Sequence, residues 1–353
     1  MKVRLVCWSK QRHLAQIYAG LADLHRQRVI ELTQHVVTEP PPSSDTACPP
    51  HLRHAKLWHC TVETRGLSLY FDMHDGDTVD QDALERCDVY LKRGYARGRG
   101  YDAKVRPLGL NYEVYADAFD RFELERRAKL LGKWSAAKYL LKRPIGASGL
   151  EAPPPTGGEP RVLLLCRTWP PDRSSRELNE ERVRLNEQRA ACITALRRAF
   201  GKRCIAGFAR SEYALRHFPE AVVDDPRITE RRRFLELVRS TPICVTTTGL
   251  HGSNGGKLGE YVAASRAIVC EPLRHVAPDL EAGKHYLEFR SADECVEAVE
   301  RLMTSAADRR AMAEANRAYY LRRLRPDQLV LNALTEAPSP ARYRREGQQS
   351  TAA

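Results

Sequence analysis

The stretch TPICVTTTGLHGSNGGKLGEYVAASRAIVCEPL, residues 241–273, decides how the chain is read. Ile243, Cys244 and Val245 form a short apolar run, as expected of a strand buried on both faces. GLHGSNGG follows at once, with four glycines in eight residues. KLGEYVAAS then sets Leu258, Tyr261 and Val262 at helical spacing. Residues 267–270 are a second apolar run, closed by Glu271 and Pro272. Strand, loop, helix, strand is the order that two adjacent parallel strands require, because the chain needs a crossover to return.

Such a loop suits an anion. The N–H groups at a helix N-terminus carry about half a positive charge. Gly252, Gly255 and Gly256 let the main chain approach a phosphate and reach φ > 0. Ser253 and Asn254 lie between them. Lys257 adds a charge in the first turn, and Glu260 is placed to turn toward the same mouth, where a carboxylate suits a ribose diol. His251 can donate to phosphate or to a sugar hydroxyl, or simply pack the loop. From these residues alone, a tight structural connection is an equal alternative.

The 353 residues suit two domains better than one. No apolar run approaches the ~20 residues of a membrane span. The N-terminal MKVRLVCWSKQRH turns polar early and reads as a first strand, not a secretory signal. The ten cysteines are scattered, with no CxxC pair and no zinc spacing, which points to buried thiols in a reducing cytoplasm. The net charge of +12 attracts anions. Basic residues nevertheless alternate with acidic ones, as in NEERVRLNEQRAACITALRRAF, the pattern of a solvated helix face. No basic block carries the interleaved aromatics of a single-strand binder, so nucleic acid is not expected as a partner. Peripheral association with an anionic membrane stays open.

The first half opens strand, helix, strand, with Leu14, Ile17, Tyr18, Leu21 and Leu24 on one helical face. Residues 39–50, EPPPSSDTACPP, read as a mobile loop. LSLYFD at 67–72 is a strand that ends in MHDGD. Residues 88–91 form another, and Lys92 and Arg93 follow, expected as a solvated charged pair with lining of a cleft as the alternative. Residues 121–143 predict one long amphipathic helix with Leu124, Leu131, Trp134 and Leu140 among its apolar positions. EAPPPTGGEP at 151–160 is the clearest linker. Beyond it RVLLLC restarts the alternation, with Arg167 at the strand exit and a helix over 180–200 closed by Gly201. Ser291 and Glu294 form a capping box. His275 and His285 read as structural. A last helix is expected near 328–334. The expected fold class is α/β with two Rossmann-like domains and parallel sheets, at 1–150 and 161–337, followed by a disordered tail at 338–353.

The second half resembles the donor domain of GT-B glycosyltransferases of the family-1-like group. The resemblance rests on GLHGSNGGKLGEYVAASRAIVCEPL, GKHYLEFRSADECVEAVERLM and AMAEANRAYY, and spans roughly 161–334. It implies a cleft between an N-terminal acceptor domain and a C-terminal donor domain. It implies that Glu260 holds the donor ribose, that residues 252–256 lie beside the donor diphosphate, and that Arg167 contacts phosphate. Lys257 matches as a phosphate contact or as an exposed helix charge. Retaining members carry a second Glu eight residues before this one; here Gly252 stands there, which speaks against a retaining mechanism using that carboxylate. No Asp-x-Asp argues convincingly for a metal-dependent enzyme, so neither metal nor cofactor is expected beyond the nucleotide sugar as co-substrate.

Sugar transfer needs cations or amide dipoles for the leaving diphosphate and, in an inverting enzyme, a base near the acceptor hydroxyl. His74 and Asp75 stand just past a strand's C-terminal end, where doubly wound folds place their sites. A polar turn explains MHDGD as well. The expectation is a cytoplasmic glycosyltransferase acting on a sugar or glycoconjugate acceptor, in polysaccharide or glycoconjugate assembly. A non-catalytic nucleotide-sugar or partner-binding module is the alternative. A nicotinamide-dependent oxidoreductase is disfavoured, because CWSKQRH lacks the glycine fingerprint.

Overall fold

An alternating strand opens the first sheet of this protein, and continuous apolar runs form the centre of the second. The computed structural model describes residues 1–9, 12–38, 59–142, 144–172 and 175–336; the stretch at 39–50 and the tail at 338–353 lie outside these. The described residues form two compact units. The first comprises 1–147, 276–278 and the chain from 322 on, the second 148–275 and 279–321.

In the first unit β1 (Lys2–Cys7) turns Val3, Leu5 and Cys7 inward, and α1 (Ala15–Arg26) buries Ile17, Tyr18, Leu21 and Leu24 over it. Then come β2 (Glu31–Val36), β3 (His59–Thr64), β4 (Leu67–Asp72), α2 (Gln81–Arg86), β5 (Val89–Lys92) and β6 (Val105–Pro107). The sheet order is β2-β1-β3-β4-β5-β6. β3 runs antiparallel to both neighbours, and the other strands share one direction. The expected parallel sheet is therefore parallel-dominated here, with one reversed strand. HCTVET holds too few apolar residues to announce itself. Its hairpin partner is fixed by the Arg65-Gly66 turn, where Gly66 takes φ 96° and Thr64 pairs with Leu67.

The single helix expected over 121–143 is in fact two, α3 (Arg121–Leu131) and α4 (Lys133–Leu141). Gly132 adopts φ 83° between them, a left-handed value that ends a helix and that glycine reaches without strain. Leu131, Trp134 and Leu140, expected on the inner face, are exposed.

The second unit opens with the short α5 (Ala147–Leu150) and holds β7 (Val162–Cys166), α6 (Arg176–Phe200), β8 (Cys204–Phe208), α7 (Glu212–His217), α8 (Arg231–Ser240) and β9 (Ile243–Thr246). It continues with α9 (Gly256–Ala263), β10 (Ala267–Cys270), β11 (Leu287–Glu288), α10 (Ala292–Thr304) and α11 (Ala306–Tyr319). Its sheet is wholly parallel, in the order β11-β10-β9-β7-β8. Every residue of β7, β9 and β10 is buried, and each large apolar side chain so placed contributes roughly 1.5–3 kcal/mol. The chain leaves β7 toward β8 on one side and returns to β9 on the other, which makes the β7/β9 gap a topological switch point.

The serine half of the capping box forms as expected, with Ser291 Oγ accepting from the Glu294 amide at 3.2 Å, while Glu294 Oε2 accepts from the Arg290 amide at 2.7 Å. The segment expected as a linker is partly fastened to the second unit. Ala152 O accepts from Ser265 Oγ at 2.8 Å, Pro153 O from Arg266 at 2.5 Å, and Tyr320 Oη donates to Glu151 at 2.7 Å. The last helix, α12 (Pro326–Thr335), falls not in the second unit, as the range 161–337 implied, but back in the first, against α1. Gly20 permits this: a Cβ there would strike the Pro326 carbonyl and lie 2.7 Å from Val330 Cγ2. Gly20→Ala should therefore destabilise the first unit by about 1–3 kcal/mol through overpacking. Thermal unfolding followed by circular dichroism measures this, and an unchanged melting point would refute the close α1–α12 contact.

Candidate functional site

One face of α6 organises the switch point. Asn179, Arg182, Asn186 and Arg189 recur at helical spacing, and the last three are buried. Arg189 Nε donates to Thr247 Oγ1 at 2.8 Å, Nη1 to the Arg167 carbonyl at 2.9 Å and Nη2 to the Thr248 carbonyl at 3.0 Å. A single guanidinium thus ties the exit of β7 to the exit of β9. Asn186 grips Trp169 by both its N–H and its C=O, each at 2.8 Å. Arg182 pairs with Asp172. The solvated-face reading of NEERVRLNEQRAACI fails along this stripe, because strand exits supply acceptors that helical periodicity cannot reveal.

The glycine-rich loop begins where Arg189 holds it. From the other side Glu271, at the exit of β10, accepts from the Thr248 amide at 2.6 Å and from Thr248 Oγ1 at 2.9 Å. Within the loop the Gly249 amide donates to Ser253 O at 2.8 Å. His251 and Gly252 both take left-handed values, φ 61° and 63°. For a histidine that conformation stores strain, on the order of 1 kcal/mol or more, of the kind that collects at functional sites. His251 is exposed, Gly252, Gly255, Gly256 and Lys257 are half-buried, and Ser253 and Asn254 are buried. Asn254 Nδ2 donates to His275 O at 3.1 Å. The Gly252 amide already serves a carboxylate, Glu181 Oε1 at 3.2 Å. Gly255 is the N-cap of α9 and brings no side-chain cap, so the helix presents its N-terminal amides with glycine alone in front.

The predicted charges divide. Arg167 is exposed, its guanidinium 4.3 Å from the centre of the Trp169 ring. Lys257 turns inward: its ammonium donates to the Leu165 carbonyl and lies 4.5 Å from the centre of the Phe234 ring, and burial lowers its pKa. Glu260 is buried and paired with Arg231 at 2.5 Å. Arg274, which no local sequence pattern marks, is exposed with its Cδ 2.9 Å from where a Cβ on Gly252 would stand. His275 and His285 are buried, and His285 Nδ1 accepts from the Glu281 amide at 3.0 Å.

His74 and Asp75 lie in the first unit, past β4. Lys92 and Arg93 are not solvated, as expected, but 0% and 6% exposed. Lys92 Nζ donates to Asp72 Oδ2 at 2.8 Å, and Tyr90 Oη donates to the same oxygen at 2.7 Å. Arg93 stands between Asp75 and His13. It approaches Asp75 Oδ1 to 2.6 Å, an ion pair without hydrogen-bond alignment, and donates to His13 Nδ1 at 2.9 Å. A guanidinium can only donate, so His13 Nδ1 must accept and the proton sits on Nε2. The 3.4 Å approach of Asn111 Oδ1 to that nitrogen is then a contact of two acceptors. The Asn111 amide is oriented by donation to His13 O and Gln16 Oε1, at 2.9 and 3.0 Å. His74 Nδ1 accepts from the Gly76 amide at 3.1 Å. His13 and Asn111 belong to this cluster through contacts that no local pattern marks. Among the described residues no group of three or more His, Cys, Asp or Glu is placed to hold a metal ion.

Two outcomes follow from this geometry. Arg189→Lys keeps the charge but reaches fewer acceptors, and should lower stability by about 1–3 kcal/mol, read by urea unfolding; wild-type stability would remove the tie between strand exits. Burial, then Arg93, lowers the pKa of His13 from 6.5 to about 4. The unfolded chain therefore binds an extra proton between those values, and the stability present above pH 6.5 falls as pH drops toward 4. An NMR titration should find His13 neutral at pH values where free histidine is charged; a midpoint at the ordinary histidine value would contradict it.

Residues 188–334 match the family model described as glycosyl transferase-like. No curated protein sequence matches the chain. Among solved structures the chain is similar to an α1,3-fucosyltransferase, at 12% identity over 96% of this chain and 91% of that one, with a TM-score of 0.44. It is similar to HepE of Anabaena in complex with UDP and glucose, at 10% identity over 94% and 97%, with a TM-score of 0.42. It is also similar to the C-terminal domain of the glycosyl transferase group 1 family protein LpcC from Francisella tularensis, at 12% identity over 50% and 97%, with a TM-score of 0.35. At these identities and scores nothing about substrate or mechanism passes to this chain. The matched segment takes in Arg189, the glycine-rich loop and α9, and the similarity to that family is confined to residues 188–334.

Proposed function

We propose that the protein is a glycosyltransferase that takes its sugar from a nucleoside diphosphate sugar and needs no divalent metal. The reading is carried by one observation: the uncapped glycine loop lies at the second unit's switch point, inside the segment that matches the glycosyl transferase-like family. The amides of Gly252 and of residues 254–257, with Arg167, Arg274 and His251 at the surface, would take the diphosphate. They would stabilise the charge that grows there as the sugar leaves. Glu181 Oε1 competes for the Gly252 amide and would give way to phosphate. Lys257, spent on the Leu165 carbonyl, adds positive potential from below the loop. Glu260 would hold the ribose, its orientation set by Arg231.

The acceptor is assigned to the C-terminal edge of the first unit's sheet. Of His74 and Asp75, Asp75 is the better base. The Gly76 amide occupies His74 Nδ1, which leaves the neutral ring a proton on Nε2 and makes it a donor. Asp75 keeps a second oxygen beyond its pair with Arg93. A cytoplasmic role in polysaccharide or glycoconjugate assembly fits this chemistry and rests on the resemblance.

Calorimetry against UDP, GDP and dTDP sugars, with a CMP sugar as the monophosphate control that should not bind, tests the donor site. One class should bind, and Glu260→Gln should weaken it about tenfold or more, the worth of a hydrogen bond to a charged group. Unchanged affinity removes Glu260 from the site, and no binding of any class overturns the reading. Asp75→Asn should cut turnover about 100-fold or more while donor affinity holds. Wild-type turnover would leave MHDGD a structural turn, and donor binding without any turnover would make the protein a binding module. Chelation with EDTA should leave the rate unchanged.

A further inference from the structure

The α3–α4 elbow carries large apolar side chains that the first unit does not use. Within residues 131–141, Leu131 is 54% exposed, Trp134 84%, Leu140 57% and Leu141 84%. Single exposed leucines are ordinary; four large apolar side chains on one short elbow are not. The inward positions of α4 are filled by Ala136 and Tyr139, and Tyr139 Oη accepts from the Asp120 amide at 3.2 Å. Gly132 makes the corner, with open space where its Cβ would be. Trp134, Lys138 and Leu141 share one helical stripe. Lys133, Lys138 and Lys142 are exposed beside it, and no acidic residue occurs from Gly132 to Lys142.

We propose that this elbow docks the protein onto the surface of a bilayer containing anionic phospholipid. Trp134 and the leucines would enter the headgroup and upper acyl region. Tryptophan favours that depth, and lysine stems run along the apolar face while their ammonium groups reach the phosphates. Charge decides the occupant. A second copy paired through the same face would set Lys133, Lys138 and Lys142 against their own kind, whereas an anionic surface attracts all three. No helix among the described residues is long and apolar enough to cross a membrane, so the contact is one of lying on the surface. The inference concerns lipid and is independent of the donor chemistry proposed above.

Co-sedimentation of the full chain with vesicles tests it, using phosphatidylcholine alone and phosphatidylcholine mixed with phosphatidylglycerol. The protein should sediment with the mixed vesicles, less so as salt rises, and not with phosphatidylcholine alone. Trp134→Ser with Leu141→Ser should reduce binding about tenfold or more, since each such side chain is worth at least that on leaving water. Lys133→Glu with Lys138→Glu should do likewise. Both pairs are exposed, so unchanged circular dichroism and melting point separate lost docking from lost folding. Equal sedimentation of the variants, or no preference for phosphatidylglycerol, would overturn the proposal. So would a wild-type dimer in solution that Trp134→Ser with Leu141→Ser turns to monomer, which would assign the face to a second copy.

Discussion

The second unit depends on one buried cation. Arg189 is 6% exposed, and its guanidinium meets acceptors on two separate strand exits. A charge so far from water is tolerable only when its donors are satisfied in good geometry. The carbonyls of Arg167 and Thr248 and the hydroxyl of Thr247 must therefore keep their relative places. Those places set the gap between β7 and β9, and with it the start of the glycine-rich loop and the approach to α9. Glu271 completes the frame by holding Thr248 from the β10 side. The loop itself is free to strain: left-handed His251 sits between fixed ends.

The first unit uses the same device with other residues. Lys92 is fully buried against Asp72 and Tyr90, and Arg93 links the exit of β5 to His13 and Asp75. In both units the charged side chains gather at the C-terminal edge of the sheet, where loops diverge and backbone groups need partners. The reversed strand β3 does not disturb this, because β1, β4, β5 and β6 still point one way.

Much of this was legible. The apolar runs of β7, β9 and β10, the loop between β9 and α9, and the Ser291 cap were readable because each is a local pattern. Other elements were not. β3 buries only His59, Cys60 and Val62, below what apolar alternation can announce. The break at Gly132 was hidden by an unbroken rhythm of leucines, although the glycine stood in plain view. At the candidate site the loop and Glu260 were named from order along the chain, and Arg167 from the resemblance. Arg189, Glu271 and Arg274 were missed, and Lys92 and Arg93 were misplaced.

Sequence alone determined what depends on neighbours: which runs are strands, which turn is glycine-led and where helices begin. Only the tertiary structure decided which charges are buried and which unit α12 completes. Hydrophobic periodicity reports where apolar side chains leave water. The burial of a cation depends on partners elsewhere, as Arg189 and Thr247 lie 58 positions apart and Lys92 and Asp72 lie 20 apart. Nor does any local rule say that Gly20 leaves room for a carbonyl from Pro326, more than 300 residues on, to lie against α1.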